Sequence, residues 1–261
     1  MKFSFGIVTS EENKKFLIDT INSIIFQNIE EYEIIVVGGS DDFLNNFESH
    51  KSLINHIEFD ENIKDKWITR KKNLIIDNSC FENIVFLHDY VTLDQNWYKG
   101  FLEFGDNFQV CTNVINNYDK SRFRDWTLSP NNFLKIDDKL QIRMEYLLPY
   151  DEESLSKFMY ISGAYWVAKK NIMNKYKLNE NLTWGQGEDV EWSHRIRKKN
   201  KFKFNINSSV TFQKQKDIYF TQISKENLHL LKNRNLIFNF FDKIFIPVRR
   251  YKKKKKFFKL F

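Results

Sequence analysis

The sequence predicts an α/β fold, with a mostly parallel central sheet flanked by helices and a helical, basic C-terminal tail. Three observations carry this expectation. Short, nearly continuous apolar runs alternate with segments whose apolar residues recur at helical spacing, the pattern of parallel strands covered on both faces by crossover helices. Polar clusters follow the apolar runs at Thr9-Ser10, Gly38-Gly39-Ser40-Asp41 and His88-Asp89-Tyr90, and in such sheets ligands bind at the carboxyl ends of strands. Basic residues crowd the end of the chain, where Arg249 to Phe261 holds eight Lys or Arg and no acid.

Taken in order, Phe3 to Val8 reads as a buried strand. Asn13 to Gln27 follows as a helix with Phe16, Leu17, Ile21, Ile24 and Ile25 on one stripe. Glu33 to Val37 is a second strand, closed by Gly38 to Asp42, and His56 to Phe59 a short third one. Ile68 to Asn78 reads as a helix with a basic face, and Asn83 to Leu87 as the fourth strand. Phe108 to Val114 is a further strand. Asn116 to Tyr150, with Arg122, Arg124 and Trp126 among polar residues, reads as a mobile loop or small insertion. Phe158 to Ala168 is a strand broken by Ser162-Gly163-Ala164. A helix from about Glu188 to Lys199 precedes two short closing strands, Phe202 to Phe204 and Ser209 to Phe212. The expected division is a folded domain over 1–220 and an amphipathic, basic tail over 221–261.

Composition bounds the function. Of the 261 residues, 42% are hydrophobic and 16% aromatic, enough for a substantial core. The net charge of +7 resides in the tail, since removing its eight basic residues leaves 1–248 close to neutral. A near-neutral body argues against nucleic-acid binding, which wants a basic face. Lys interleaved with Phe257, Phe258, Leu260 and Phe261, after the apolar run from Leu228 to Val248, suits an anionic membrane surface. A packed helix with a basic end is the alternative. The apolar N-terminus is cut short by Glu11 to Lys15, so no signal peptide is expected, and no apolar run reaches spanning length. Cys80 and Cys111 lack metal-ligand spacing and are expected as buried free thiols in a reducing compartment.

The most informative stretch is Trp184-Gly185-Gln186-Gly187-Glu188-Asp189. Only eight glycines occur in the chain, yet two bracket one Gln here, directly before adjacent carboxylates. Gly-x-Gly allows backbone conformations closed to other residues and lets a ligand come near. A carboxylate at a helix start can act as a general base; equally, acidic residues favour a helix N-terminus for its dipole alone. His194 reads as packing or surface.

The ordered set Gly6-Ile7-Val8-Thr9-Ser10, Glu33 to Ser40, Thr69-Arg70-Lys71-Lys72-Asn73, Leu87-His88-Asp89-Tyr90, Ser162-Gly163-Ala164 and Gly185-Gln186-Gly187-Glu188-Asp189 resembles the GT-A-fold (Rossmann-like), family-2-like inverting glycosyltransferases over roughly residues 3–215. That resemblance implies a hexosyltransferase-type enzyme moving a sugar from a nucleotide-diphosphate donor to a hydroxyl of a cell-surface glycan or glycolipid. It implies Asp189 as base, Glu188 orienting the acceptor, and Trp184 and Gly187 beside the acceptor. On the donor side it implies Thr9, Ser10, Gly38, Gly39, Lys72, Asn73, His88 and Asp89. Asp89 would hold a divalent cation, Mn2+ or Mg2+, against the diphosphate. Together with the tail, this points to a cytoplasmic protein, peripheral on the cytoplasmic membrane face.

Three departures bear on the resemblance. Gly38-Gly39 stands where relatives carry a base-reading Asp, with Asp41 and Asp42 slightly later. Asp89 stands alone in place of an Asp-x-Asp motif. The late region Val210 to Lys216 has no His, and Lys214 or Lys216 is the available cation there. The alternatives are a non-catalytic carbohydrate- or membrane-binding relative of the same fold and a nucleotidyltransferase. The acidic, Gly-free Thr9-Ser10-Glu11-Glu12 counts against the latter.

Overall fold

The computed structural model describes residues 1–10, 14–129, 145–216 and 220–228. Residues 130–144 of the loop expected over 116–150, and the tail from 229 onward, lie outside the described residues.

β1 (Phe3–Val8) leads through α1 (Lys14–Ile25) to β2 (Tyr32–Val37). Two 3-10 turns over Asp41–Asn46 and Glu48–Leu53 then place β3 at Ile54–Ile57. That is two residues earlier than the sequence pattern indicated, because the turns deliver Ile54, not His56, opposite Ile34. α2 (Ile68–Asn78) and β4 (Asn83–His88) stand where expected. β5 (Val91–Leu93) and α3 (Trp97–Phe104) follow, then β6 (Val110–Asn116).

The expected irregular stretch carries β7 (Thr127–Leu128) and β8 (Tyr146–Leu147) at its edges. β9 (Met159–Tyr160), β10 (Tyr165–Lys169) and α4 (Lys170–Lys175) lead on to α5 (Glu188–Ile196). The two expected closing strands are one, β11 (Phe202–Phe212), whose register shifts between Asn205 and Ser209. The bulge explains the misreading: Asn205 Nδ2 donates to Ser208 Oγ, and Ser208 Oγ to the Trp97 carbonyl, so polar residues are buried in mid-strand. β12 (Thr221–Gln222) pairs with β8, and Ile223 and Leu228 pack into the core beyond it.

The main sheet has eight strands in the order β3-β2-β1-β4-β10-β6-β11-β5. β1, β2, β3 and β4 pair in parallel, as do β6 and β11, whereas β10 and β5 run against their neighbours. A second sheet, β12-β8-β7-β9, lies beside it. Alternation along β2 shows how the core is split. Ile34 and Val36 join the cluster under α1 and α3 with Phe3, Phe5, Trp97 and Phe101, while Ile35 and Val37 join the opposite one with Ile75, Trp166 and Trp192. β1, β4 and β10 are buried throughout, so the carboxyl ends of β1 and β4, with the amino end of β10 beside them, form a firm platform. Cys111 is buried as expected; Cys80 is exposed, because it falls beyond the last turn of α2, outside the sheet. No helix among the described residues is long and apolar enough to cross a membrane.

Candidate functional site

The ends of β1 and β4 meet at Thr9 and Asp89. The Asp89 backbone N–H reaches the Val8 carbonyl at 3.2 Å, and Thr9 Oγ1 donates to Asp89 Oδ2 at 2.8 Å. Thr20 of α1 caps the same turn through the Asp89 carbonyl at 2.8 Å. Ser10 is partly exposed, and its carbonyl, 3.1 Å from Thr9 Oγ1, is an alternative acceptor for that hydroxyl's single proton. Gly38 and Gly39 both take positive φ, 97° and 66°, bringing the turn after β2 against Thr9; a Cβ on Gly38 would stand 2.5 Å from the Thr9 carbonyl oxygen. Lys71 spans this junction, donating to that carbonyl at 2.7 Å and pairing with Glu61.

His88 is buried against Tyr90, ring centroids 5.3 Å apart, and its Nε2 finds no hydrogen-bond partner among the described residues. Burial, then the charges of Lys72, Lys216 and Lys214, hold its pKa well below the usual histidine value. The imidazole is therefore neutral at physiological pH.

α2 serves the other side of the site. Asn73 exchanges bonds with Leu178, its Oδ1 accepting the Leu178 N–H and its Nδ2 donating to the Leu178 carbonyl, both at 3.0 Å, and it also reaches Glu180 Oε1 at 2.8 Å. Arg70 pairs with Glu180 at 3.1 Å, and Thr69 donates to the Leu182 carbonyl at 2.7 Å. The basic face read from the sequence is thus a brace for the loop that ends in Gly187. Lys72 is only 1% exposed; its ammonium donates to the Gly163 carbonyl at 2.8 Å and lies 4.7 Å from the Trp166 ring centroid. Burial lowers its pKa, opposed by the nearby Glu188 and Asp189 carboxylates.

Gln186 closes the loop turn by accepting the Thr183 N–H at 2.9 Å, and Gly187 is left-handed (φ 75°, ψ 36°) where α5 begins. Glu188 and Asp189 are both buried in the first turn of α5. Asp189 Oδ2 accepts the Gly163 N–H at 2.8 Å and faces Arg124 Nη2 at 3.6 Å, while Oδ1 takes the Val190 N–H at 2.9 Å. Burial raises the Glu188 pKa; Lys72 works against this and the Asp189 charge adds to it. Trp184 stands out at 53% exposed, its backbone tied to Lys66 and its ring 5.8 Å from the Lys66 ammonium. His194, at the far end of α5, is packed against Ser129 Oγ at 2.7 Å, in keeping with a packing role.

Tyr90 links the two sides. Burial raises its pKa, and the charges of Asp89, Arg124, Glu188 and Asp189 all bear on it. The Lys214 and Lys216 ammoniums stand 3.9 and 4.4 Å from its ring centroid. Burial and the Lys214 charge bring the Lys216 pKa down to about 8. Tyr90 belongs to the His88-Asp89-Tyr90 cluster read from the sequence, which assigned it no role; Arg124 was not legible as a site residue, its only signal an arginine-bearing stretch among aromatics.

These residues offer a divalent cation no site that is complete without substrate: Asp89 would hold one only together with the oxygens of a bound diphosphate. A hard cation wants several oxygen ligands, at least one or two of them carboxylates. Among the described residues no three His, Cys, Asp or Glu side chains gather at one place. The ammoniums of Lys72, Lys214 and Lys216 bear on the adjoining His88, a cationic setting that opposes a further cation.

No family model matches the sequence, and no curated protein matches it. Solved structures do resemble it. GalNAc-T7 with UDP, GalNAc and Mn2+ superimposes with a TM-score of 0.60 at 14% identity, over 84% of this chain and 45% of that one. Staphylococcus aureus TarS gives 0.53 at 14% identity over 88% of this chain and 38% of that one; for its residues 1–349 the score is 0.52, with 62% of that chain covered. The chain therefore spans less than two thirds of the length of each. Both neighbours are GT-A-fold glycosyltransferases, and the fold of this chain is GT-A.

Proposed function

We propose that the chain is an inverting glycosyltransferase that moves a sugar from a nucleotide-diphosphate donor to a hydroxyl of a glycan or glycolipid acceptor of the cell-surface polysaccharide type. The observation that carries this reading is Asp189, buried at the start of α5 and bonded to Gly163 at the strand end beside Asp89. Acceptor activation needs such a group, because a neutral alcohol is a weak nucleophile. Asp189 takes the hydroxyl proton as the acceptor oxygen bonds to the anomeric carbon. The bond from that carbon to the diphosphate oxygen breaks, its electron pair leaves with the nucleoside diphosphate, and the configuration inverts. Each oxygen of Asp189 accepts one backbone N–H, which fixes the carboxylate and leaves it a further lone pair for the proton.

Glu188 orients the acceptor, and Trp184 and Gly187 flank it. Thr9, Ser10, Gly38, Gly39, His88 and Asp89 form the donor side. Lys72 and Asn73 act from beneath, through Gly163 and the Leu178–Glu180 loop respectively. Attachment to an anionic, cytoplasmic membrane face through 228–261 completes the reading, supported by the basic-aromatic sequence of that segment.

The test is transfer and hydrolysis of UDP-, GDP- and dTDP-sugars by the purified chain, with and without Mn2+, beside Asp189→Asn. Turnover lost in the variant with nucleoside diphosphate affinity retained supports the assignment. Absence of any nucleotide-sugar turnover or binding overturns it in favour of a non-catalytic carbohydrate-binding relative.

A further inference from the structure

Strand β11 ends at Phe212, and the chain bends into Gln213-Lys214-Gln215-Lys216, a segment pinned along its length. The Gln213 N–H donates to the Tyr90 carbonyl at 2.9 Å, and its side-chain amide donates to the Phe16 carbonyl at 2.8 Å and to Thr20 Oγ1 at 3.1 Å. Gln215 and Asp119 exchange two bonds, and the Lys216 N–H reaches Asn117 Oδ1 at 3.2 Å. Lys214 and Lys216 bring both ammoniums to one ring, that of Tyr90, next to Asp89. Two like charges fixed so close repel each other, and attraction to a ring face offsets that only in part. An anion bearing two negative charges relieves that repulsion.

Resting on the glycosyltransferase reading, we propose that Lys214 and Lys216 hold the donor diphosphate at Tyr90 and neutralise the charge that develops on it as the sugar departs, in place of a resident divalent cation. Two ammoniums supply the same formal charge as one such ion. They stand beside the strand end that carries Asp89. The bond that breaks is the one between the anomeric carbon and the diphosphate oxygen, and the lysines need give up no proton.

UDP, GDP and dTDP binding by calorimetry, in EDTA and then in Mn2+, tests this on the whole chain. The expected result is binding of at least one of them that survives EDTA, weakens about tenfold or more in Lys214→Met or Lys216→Met, and recovers in Lys214→Arg and Lys216→Arg. Affinity should fall with added salt, less steeply in the Met variants. Thermal melts of the Met variants matching the parent exclude unfolding as the cause. Binding that appears only with Mn2+ and is indifferent to the Met variants overturns the lysine assignment while leaving the glycosyltransferase reading intact. Binding of no nucleoside diphosphate in either condition overturns both.

Discussion

Asp189 Oδ2 accepts the backbone N–H of Gly163 at 2.8 Å, so the first turn of α5 is fastened to the Ser162–Ala164 link between β9 and β10. Beneath the same glycine, Lys72 donates to its carbonyl. One peptide-sized residue is therefore held from both sides, by a carboxylate above and a buried ammonium below. The proposed base is positioned by the sheet and α2 as much as by its own helix.

Gly163→Ala tests that relationship. A Cβ there would stand 2.9 Å from Asp189 Oδ2 and 3.2 Å from its Cγ, so the carboxylate must move. Misplacement of a reacting group by about 1 Å costs on the order of 10²-fold in rate. Turnover should fall by about that factor with nucleoside diphosphate affinity unchanged. Wild-type turnover in a correctly folded variant would remove Asp189 from the chemistry.

The adjacent carboxylates should separate by kinetics. Asp189→Asn removes the proton acceptor and should lower kcat by roughly 10²–10⁴-fold. Glu188→Gln keeps the shape and should act mainly on acceptor KM. An equal loss of kcat in both would show that the pair works as one unit.

Much of this arrangement was legible beforehand, for physical reasons. Strands buried on both faces leave an unbroken apolar signature, so β1, β2 and β4 appeared in the sequence, and α2 had matching bounds. β11 was split in two because its bulge buries Asn205 and Ser208 in mid-strand, where polarity imitates a turn. α3 was overlooked because its eight residues give only two turns of pattern. The role of the Arg70–Asn73 run was hidden because local spacing shows a basic helix face but not that Glu180 and Leu178 come to meet it from more than a hundred residues away. Arg124 was overlooked for the same reason: its partner Asp189 is distant in sequence.

Trp184→Ala should separate recognition from stability. The indole is more than half exposed, so truncation should change unfolding free energy by no more than about 0.5 kcal/mol. Loss of an aromatic face for a sugar ring should raise acceptor KM about tenfold and leave donor affinity alone. Unaltered acceptor KM would place the acceptor elsewhere.

His194 gives a pH prediction independent of catalysis. It is buried with Nε2 bonded to Ser129, and burial, then the Arg197 charge, bring its pKa from the ordinary 6.5 down to about 3. The unfolded chain thus binds this proton more readily than the folded one between pH 6.5 and pH 3. The stability contributed by the neutral ring is fully present above pH 6.5 and is lost progressively as pH falls through that window. His194→Gln cannot take up the proton. Its urea midpoint should start lower than the parent's at pH 7.5, because packing is disturbed, yet decline less steeply from pH 6.5 to pH 4. Parallel pH profiles for parent and variant would mean that other groups carry the acid sensitivity of the fold.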